Sequence, residues 1–239
     1  MGKLIYFGKK KLEYYNNILI KADLGLHDQI FSIISKSLPK GSRVLDVGAG
    51  EGALSQRLVD HGYEVYSLDT DAKSFQCQEA HFTQIDFDSE NDFENYIDKH
   101  NNFFDCAICV EVIEHVENQW DLSRSIQKML KPGGEVIFST PNITSWYSRL
   151  YFLFKGKFHQ FDLEDLSYGH IAPISKFHLQ VIFEKTKWKD IQILEGGTLP
   201  PVWLEGSFSL FLLNLFALLL RPLQRGVLNG WCLILHAKK

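Results

Sequence analysis

The chain is poor in cysteine, with 4 in 239 residues, and so sparse and scattered a set excludes a disulfide framework. Cys106 and Cys109 stand in a C-x-x-C spacing, but within "FFDCAICVEV" they read as strand residues three apart. Such residues point to opposite faces, which argues against a redox or metal pair. A basic excess is also missing: 25 Lys+Arg against 29 Asp+Glu leave a net charge of −4, so no nucleic-acid partner is expected. The opening "MGKLIYFGKKKLEYY" lacks the apolar core and small-residue cleavage site of a secretory leader, and Tyr6 breaks the myristoylation pattern; the expectation is a cytoplasmic protein. No apolar run reaches spanning length. The most prominent, "SFSLFLLNLFALLL" (Ser207 to Leu220), extends about 20 Å as a helix from Phe208 onward, against a hydrocarbon core of roughly 30 Å. It calls for cover by protein core or lid packing, or by the surface zone of a membrane through 207–225, where Arg221 and Arg225 suit anionic headgroups.

What remains is an ordinary globular composition, 45% apolar and 23% charged, in a chain long enough for one large core. After a helix expected at 26–38, strands and helices alternate: strand 43–48, helix 51–61, strand 64–68, strand 81–85, helix 90–100, strand 104–110, helix 118–131. A Pro132-Gly133-Gly134 turn then launches a strand at 135–140. Such alternation implies right-handed crossovers and an α/β fold, a doubly wound, mostly parallel sheet of seven strands. A helix at 175–187 and strands at 189–195 and 231–237 complete it. The reading is a single domain over 1–239: an N-terminal helical cap (1–40), a cofactor-binding core (41–140), an aromatic insertion after strand five (141–173), and an apolar helical insertion between strands six and seven (200–228). The aromatic insertion carries Trp146, Tyr147, Tyr151, Phe152, Phe154, Phe158, Phe161 and Tyr168. In this fold the loops after strands five and six open on the ligand face, so both insertions belong to the substrate side.

Chemistry concentrates in "LDVGAGEG". Gly48, Gly50 and Gly52 let the chain turn tightly and approach a ligand where strand one meets a helix. With Ala53 the stretch also satisfies the dinucleotide pattern, so a nicotinamide or flavin oxidoreductase stays open at this point. Asp69 ends strand two about twenty residues later, placed for two ribose hydroxyls of either ligand. After strand three, Asp86 can accept an adenine amino proton and Phe87 can lie on the base.

The series LDVGAGEG, SLDTD, IDF, FDCAICVEVIEHV and LKPGGEVIFSTPN resembles the class I S-adenosylmethionine-dependent methyltransferases, in particular the branch with the ubiquinone-biosynthesis O-methyltransferases, over about residues 40–142. The resemblance implies S-adenosyl-L-methionine as cofactor, with Asp46, Gly48, Ala49, Gly50 and Gly52 framing its methionine part. It further implies Asp69 and Thr70 at the ribose, Asp86 and Phe87 at the adenine, and Val110 and Glu111 beside the sulfonium. Glu111, Glu114 and His115, spaced i, i+3, i+4, would share one face of a helix. Three readings of that triplet stay open: the magnesium (Mg2+) set that the resembled quinone enzymes use, a general base in His115, or a scaffold feature. His170, in "YGHIAPIS", and His159 are further base candidates.

The expected activity is O-methylation of a hydroxyl on a hydrophobic or lipid-linked small molecule such as a quinone-like phenol. A saccharide or polysaccharide precursor is the alternative acceptor. From other classes, an NAD-type oxidoreductase and a non-catalytic cofactor-binding module remain. Nothing in the sequence fixes the oligomeric state.

Overall fold

A computed structural model of the chain describes residues 12–163, 166, 169–199 and 208–239. Residues 1–11 of the opening segment, Tyr168 of the aromatic set, and residues 200–207 of the apolar insertion, Ser207 included, lie outside the described residues. The first elements among the described residues are a short antiparallel hairpin, β1 (Tyr14–Tyr15) and β2 (Ile18–Leu19), whose turn places Asn16 and Asn17 at positive φ. Helix α1 (Leu26–Ser37) follows, burying Leu26, Ile30 and Ile34 along one stripe. Then come β3 (Arg43–Val47), α2 (Ala53–Asp60), β4 (Glu64–Asp69), β5 (His81–Gln84), α3 (Glu90–Lys99), β6 (Phe104–Val110) and α4 (Gln119–Met129). The remaining elements are β7 (Leu130–Pro141), α5 (Trp146–Lys155), α6 (Lys176–Lys185), β8 (Lys189–Gly196), α7 (Phe208–Leu220) and β9 (Cys232–Lys238).

The seven-stranded sheet has the order β5-β4-β3-β6-β7-β9-β8. The five strands from β5 to β7 pair in parallel, and β9 runs antiparallel to both β7 and β8. The mostly parallel, doubly wound sheet expected from the alternation is therefore present. Side chains alternate between two cores: Ala107 and Cys109 of β6 join α3, α4 and α6, while Cys106 and Ile108 join α1, α2 and α5. The two cysteines of the C-x-x-C thus lie on opposite sheet faces, as strand periodicity requires. The Pro-Gly-Gly stretch differs from the expectation of a separate turn. It sits inside β7, where the register with β6 shifts between Phe104 and Cys106, so α4 ends at Met129 rather than near 131.

Strand order reverses between β3 and β6, and the crevice at their carboxyl ends is where a ligand fits in an open α/β sheet. Helix α5 follows β7, and α7 lies between β8 and β9. Among the described residues, no helix is long and apolar enough to cross a membrane. Among the described side chains of α7, few join the core. Ala217 is buried and Leu220 partly so, yet Phe211, Leu212, Leu215, Phe216, Leu218 and Leu219 are all exposed, Leu219 at 70%.

Candidate active site

The glycine-rich loop is held against the carboxyl end of β4. Gly48 and Ala49 donate to the Leu68 carbonyl at 2.8 and 3.0 Å, and Gly50 donates to Asp69 Oδ2 at 2.7 Å. Gly48 has φ +74°, and a Cβ there would stand 2.2 Å from Val112 Cγ2, so the turn and the close approach both demand glycine. Gly50, at φ +56°, has nothing within 4 Å on its Cβ side, which leaves the loop's outer face open toward a ligand. Asp69 Oδ1 accepts from the Asp71 N–H at 2.9 Å. Each carboxylate oxygen keeps acceptor capacity after these bonds, enough for ribose hydroxyls.

Asp46 lies behind the loop, 2% exposed, and accepts the Ser55 hydroxyl at 2.6 Å; Ser55 in turn meets Ser67 at 2.9 Å. Burial pushes the Asp46 carboxyl up to about 7, with the Ser55 bond opposing. An acid whose folded pKa stands above its unfolded value of about 3.8 makes folding take up a proton. Stability from that group is fully present at low pH and falls as pH rises from about 4 to 7. Asp46→Asn keeps an acceptor for Ser55 without the charge. It is expected to raise the melting temperature of the ligand-free protein at pH 8 by about 5 °C, and to leave it unchanged near pH 4. Calorimetric scans at the two pH values check this.

Beside the loop, a small cleft is lined by Asp46, Gly48, Ala49, Gly50, Val110 and, from the N-terminal segment, Leu19, Lys21, Ala22 and His27. The N-terminal residues were not legible as site residues, because no motif marks them. Lys21 reaches Glu51 of the loop at 3.2 Å, tying the hairpin segment over it. His27 is 8% exposed, its Nδ1 has no partner, and burial lowers its pKa to about 4, so it faces the cleft as a neutral ring. Thr70 and Asp86 are exposed at the ends of β4 and β5; the Thr70 carbonyl accepts Gln84 Nε2 at 2.9 Å, and Asp86 Oδ1 accepts the Asp88 N–H at 3.1 Å. Phe87 is partly buried, edge-on to Phe93 at 5.5 Å, and so serves the core as well as the rim.

The Glu111–His115 segment is not the helix that its spacing suggested. Glu111 has φ +53°, and a turn closes from the His115 N–H to the Val112 carbonyl at 2.8 Å. The left-handed residue turns the Glu111 side chain toward Ser139 and Cys232. Its Oε1 accepts the Ser139 hydroxyl at 2.7 Å and its Oε2 lies 3.5 Å from Cys232 Sγ, while burial pushes its carboxyl up to about 7. Glu114 is 0% exposed, its carboxyl beside the buried Thr140 hydroxyl. Burial, then the charge of Glu111, drives the Glu114 carboxyl well above the usual range.

The third side chain meeting Glu114 and His115 is His170, not Glu111. Ligand-type atoms of Glu114, His115 and His170 lie within 4.8 Å of one another, and the two imidazoles meet edge to face at 4.8 Å. Two bonds bring His170 there: the Ile171 and Ala172 N–H groups donate to the Glu114 carbonyl at 3.1 and 3.0 Å. A Cβ on Gly169 would stand 2.8 Å from His115 Nδ1, so glycine permits the approach. Burial, then His170's charge, lowers the His115 pKa. His159 stays outside the trio, ringed by Tyr147, Tyr151 and Trp231 at 5.2–5.5 Å, with its pKa lowered to about 4 by burial. Of the Glu111, Glu114 and His115 set, Glu111 lies outside the cluster, its oxygens meeting Ser139 and Cys232.

A parallel α/β sheet with a glycine-rich turn after its first long strand, an acidic residue ending the next, and β9 reversed beside β7 is the architecture of the S-adenosylmethionine-dependent methyltransferases. Residues 25–193 match the family described as methyltransferase domain, and the chain belongs to that family. A ubiquinone biosynthesis O-methyltransferase of Pectobacterium atrosepticum is 35% identical over 106 residues, 43% of this chain and 44% of that protein. The enzyme of the same description from Citrobacter koseri is 36% identical over 106 residues, 43% of each chain. The match thus spans less than half the length of these curated relatives. Among solved structures, a SAM-dependent methyltransferase from Archaeoglobus fulgidus shares the fold with a TM-score of 0.62 at 17% identity, over 89% of this chain and 94% of that one. The cleft fits the cofactor of such proteins, with an open glycine loop and the His27 imidazole lining it and the Asp69 carboxylate bonded to Gly50 of that loop.

Proposed function

We propose that the chain methylates a hydroxyl group of a hydrophobic or lipid-linked acceptor, a quinone-like phenol, with S-adenosylmethionine as donor. The observation that carries this reading is the convergence of Glu114, His115 and His170 immediately after Val110, at the same strand ends as the glycine cleft. When bound, S-adenosylmethionine supplies an electrophilic methyl group on a positively charged sulfur. Asp69 would hold the ribose hydroxyls, Gly48 to Gly52 the methionine part, and Asp86 the adenine amino group, while Val110 would line the sulfonium side. Alignment of acceptor oxygen, carbon and sulfur supplies much of the rate enhancement in such a displacement.

A neutral hydroxyl is a poor nucleophile, and the trio is where its proton leaves. His115 takes that proton on a ring nitrogen kept neutral by burial, with His170 against its face. The greasy acceptor is matched by α5 and α7, which pack with Phe154 and Phe216 at 6.3 Å and leave Phe152, Leu153 and Phe154 exposed beside α7. The same apolar surface, lacking any acidic residue over 146–158 and 208–231 but carrying Arg149, Lys155, Lys157, Arg221 and Arg225, suits an anionic membrane holding the acceptor.

Calorimetry with S-adenosylhomocysteine and with NAD tests the donor. The first is expected to bind and the second not, and tight NAD binding without the nucleoside would overturn the reading. With a panel of alkylated catechols and phenols, His115→Ala is expected to lower kcat by about 100-fold or more. Its S-adenosylhomocysteine affinity stays within about threefold, because the ring lies beyond the cofactor loop.

A further inference from the structure

We propose that Lys21 and His27, both from the N-terminal segment, form the subsite that recognises the free carboxylate at the amino-acid end of the donor, Lys21 giving up Glu51 of the glycine loop for that carboxylate as the donor enters. This rests on the reading that the glycine cleft holds the methionine part of S-adenosylmethionine. It is independent of the acceptor.

The two residues reach the cleft from different elements. Ile18 and Ile20 of the hairpin segment are each 5% exposed and pack with Ala53, the first residue of α2. Tyr15 and Asn16 fasten the same segment to Asp60 at the far end of that helix, at 2.9 and 2.7 Å. Lys21 therefore lines the cleft together with Ala53 and Leu54, at a helix end whose first N–H groups have no partner within the helix and whose dipole favours an anion. His27, in the first turn of α1, lines the same cleft. It is 8% exposed, and its buried Nδ1 has no hydrogen-bond partner within the protein. A polar atom so placed is costly unless a ligand meets it.

The sign of the surroundings decides which end of the ligand is read. The methionine part carries an ammonium, which needs acceptors, and a carboxylate, which needs donors. A lysine ammonium, helix N–H groups and the N–H of a neutral imidazole are all donors, and the charge of Arg57 also reaches His27. Of the acids lining the cleft, Asp46 accepts from Ser55 and burial disfavours its charge. Glu51 is already occupied: its Oε1 lies 3.2 Å from Lys21 Nζ, and its Oε2 accepts Gln76 Nε2 at 2.9 Å. The Lys21 side chain is 54% exposed, and an ion pair so open to water contributes little. A ligand carboxylate seated between Lys21 and His27 excludes water from the pair and offers the ammonium the stronger partner.

Titration calorimetry on the full chain compares two probes: S-adenosylhomocysteine, which carries the amino-acid end, and 5′-methylthioadenosine, which lacks it. Lys21→Gln and His27→Leu are each expected to weaken S-adenosylhomocysteine binding by about tenfold and 5′-methylthioadenosine binding by less than about twofold. His27→Asn, which keeps an N–H donor close to the Nδ1 position, recovers most of the affinity. Glu51→Gln removes the competing carboxylate and tightens S-adenosylhomocysteine binding by about threefold, a gain that disappears in the Lys21→Gln background. Equal losses for the two probes give Lys21 and His27 a packing role and overturn the proposal, as does S-adenosylhomocysteine affinity indifferent to both substitutions. Circular dichroism reports whether His27→Leu is folded, and if it is not, Lys21→Gln and its coupling to Glu51→Gln decide. A wild-type chain that binds 5′-methylthioadenosine as tightly as S-adenosylhomocysteine overturns this subsite and leaves the donor reading intact. Binding of neither probe overturns both.

Discussion

Asp69→Ala is expected to weaken S-adenosylhomocysteine binding by about 100-fold or more. The carboxylate has two functions at the carboxyl end of β4. Its Oδ2 fixes the Gly50 N–H at 2.7 Å and its Oδ1 fixes the Asp71 N–H at 2.9 Å, and its remaining lone pairs are the proposed acceptors for the ribose hydroxyls. Hydrogen bonds to a charged group contribute about 1.5 kcal/mol or more each, so loss of two from the ligand amounts to about 3 kcal/mol, or roughly 100-fold. Release of Gly50 adds to this, because the loop's shape depends on that bond. Asp69→Asn separates the two functions. It retains one acceptor oxygen for Gly50 and loses the charge, so a smaller loss of about tenfold is expected. Titration calorimetry on the two variants checks the order. Equal, small losses would place the ribose elsewhere.

The same residue illustrates which parts of the site were legible in the sequence. Asp69, Gly48, Gly50 and Gly52 are set by local rules: a strand ends, glycine supplies positive φ, a helix begins, and the next strand ends in an acid. The parallel order of β5, β4, β3, β6 and β7 follows from similarly local alternation. What the sequence did not disclose depends on partners distant along the chain. Glu111, Glu114 and His115 have the spacing of one helical face, yet the Ser139 hydroxyl and the Cys232 thiol, from β7 and β9, meet Glu111 in a left-handed conformation and turn it aside. His170 gains its place from backbone bonds to Glu114 across more than fifty residues of chain, a contact that no periodicity encodes. Lys21 and His27 enter the cleft only because a two-residue hairpin and the start of α1 fold back over the glycine loop.

Helix α7 shows the converse case, in which composition was plain and environment was not. Its apolar character suits either a core or a membrane surface, and the structure leaves most of its described side chains exposed. Phe211, Leu215 and Leu219 are spaced four apart, so they line one face, with exposures of 51%, 47% and 70%. Phe211→Ser, Leu215→Ser and Leu219→Ser together are expected to lower binding to vesicles rich in anionic lipid by about 100-fold. Full burial of such a side chain stabilises by about 1.5–3 kcal/mol, and transfer of the half still exposed on three of them totals about 3 kcal/mol. Because the residues face outward, melting temperature and S-adenosylhomocysteine affinity should hold. Lys155→Gln with Arg225→Gln should instead weaken binding at low salt and leave the apolar part, since basic residues near an anionic surface contribute about 1 kcal/mol each and are screened. Flotation at two salt concentrations separates these effects. If the wild-type chain ignores vesicles and instead self-associates in a concentration-dependent way that the serine variant abolishes, α7 is covered by a second copy, and the proposed hydrophobic acceptor would have to reach the Glu114–His115–His170 trio from solution.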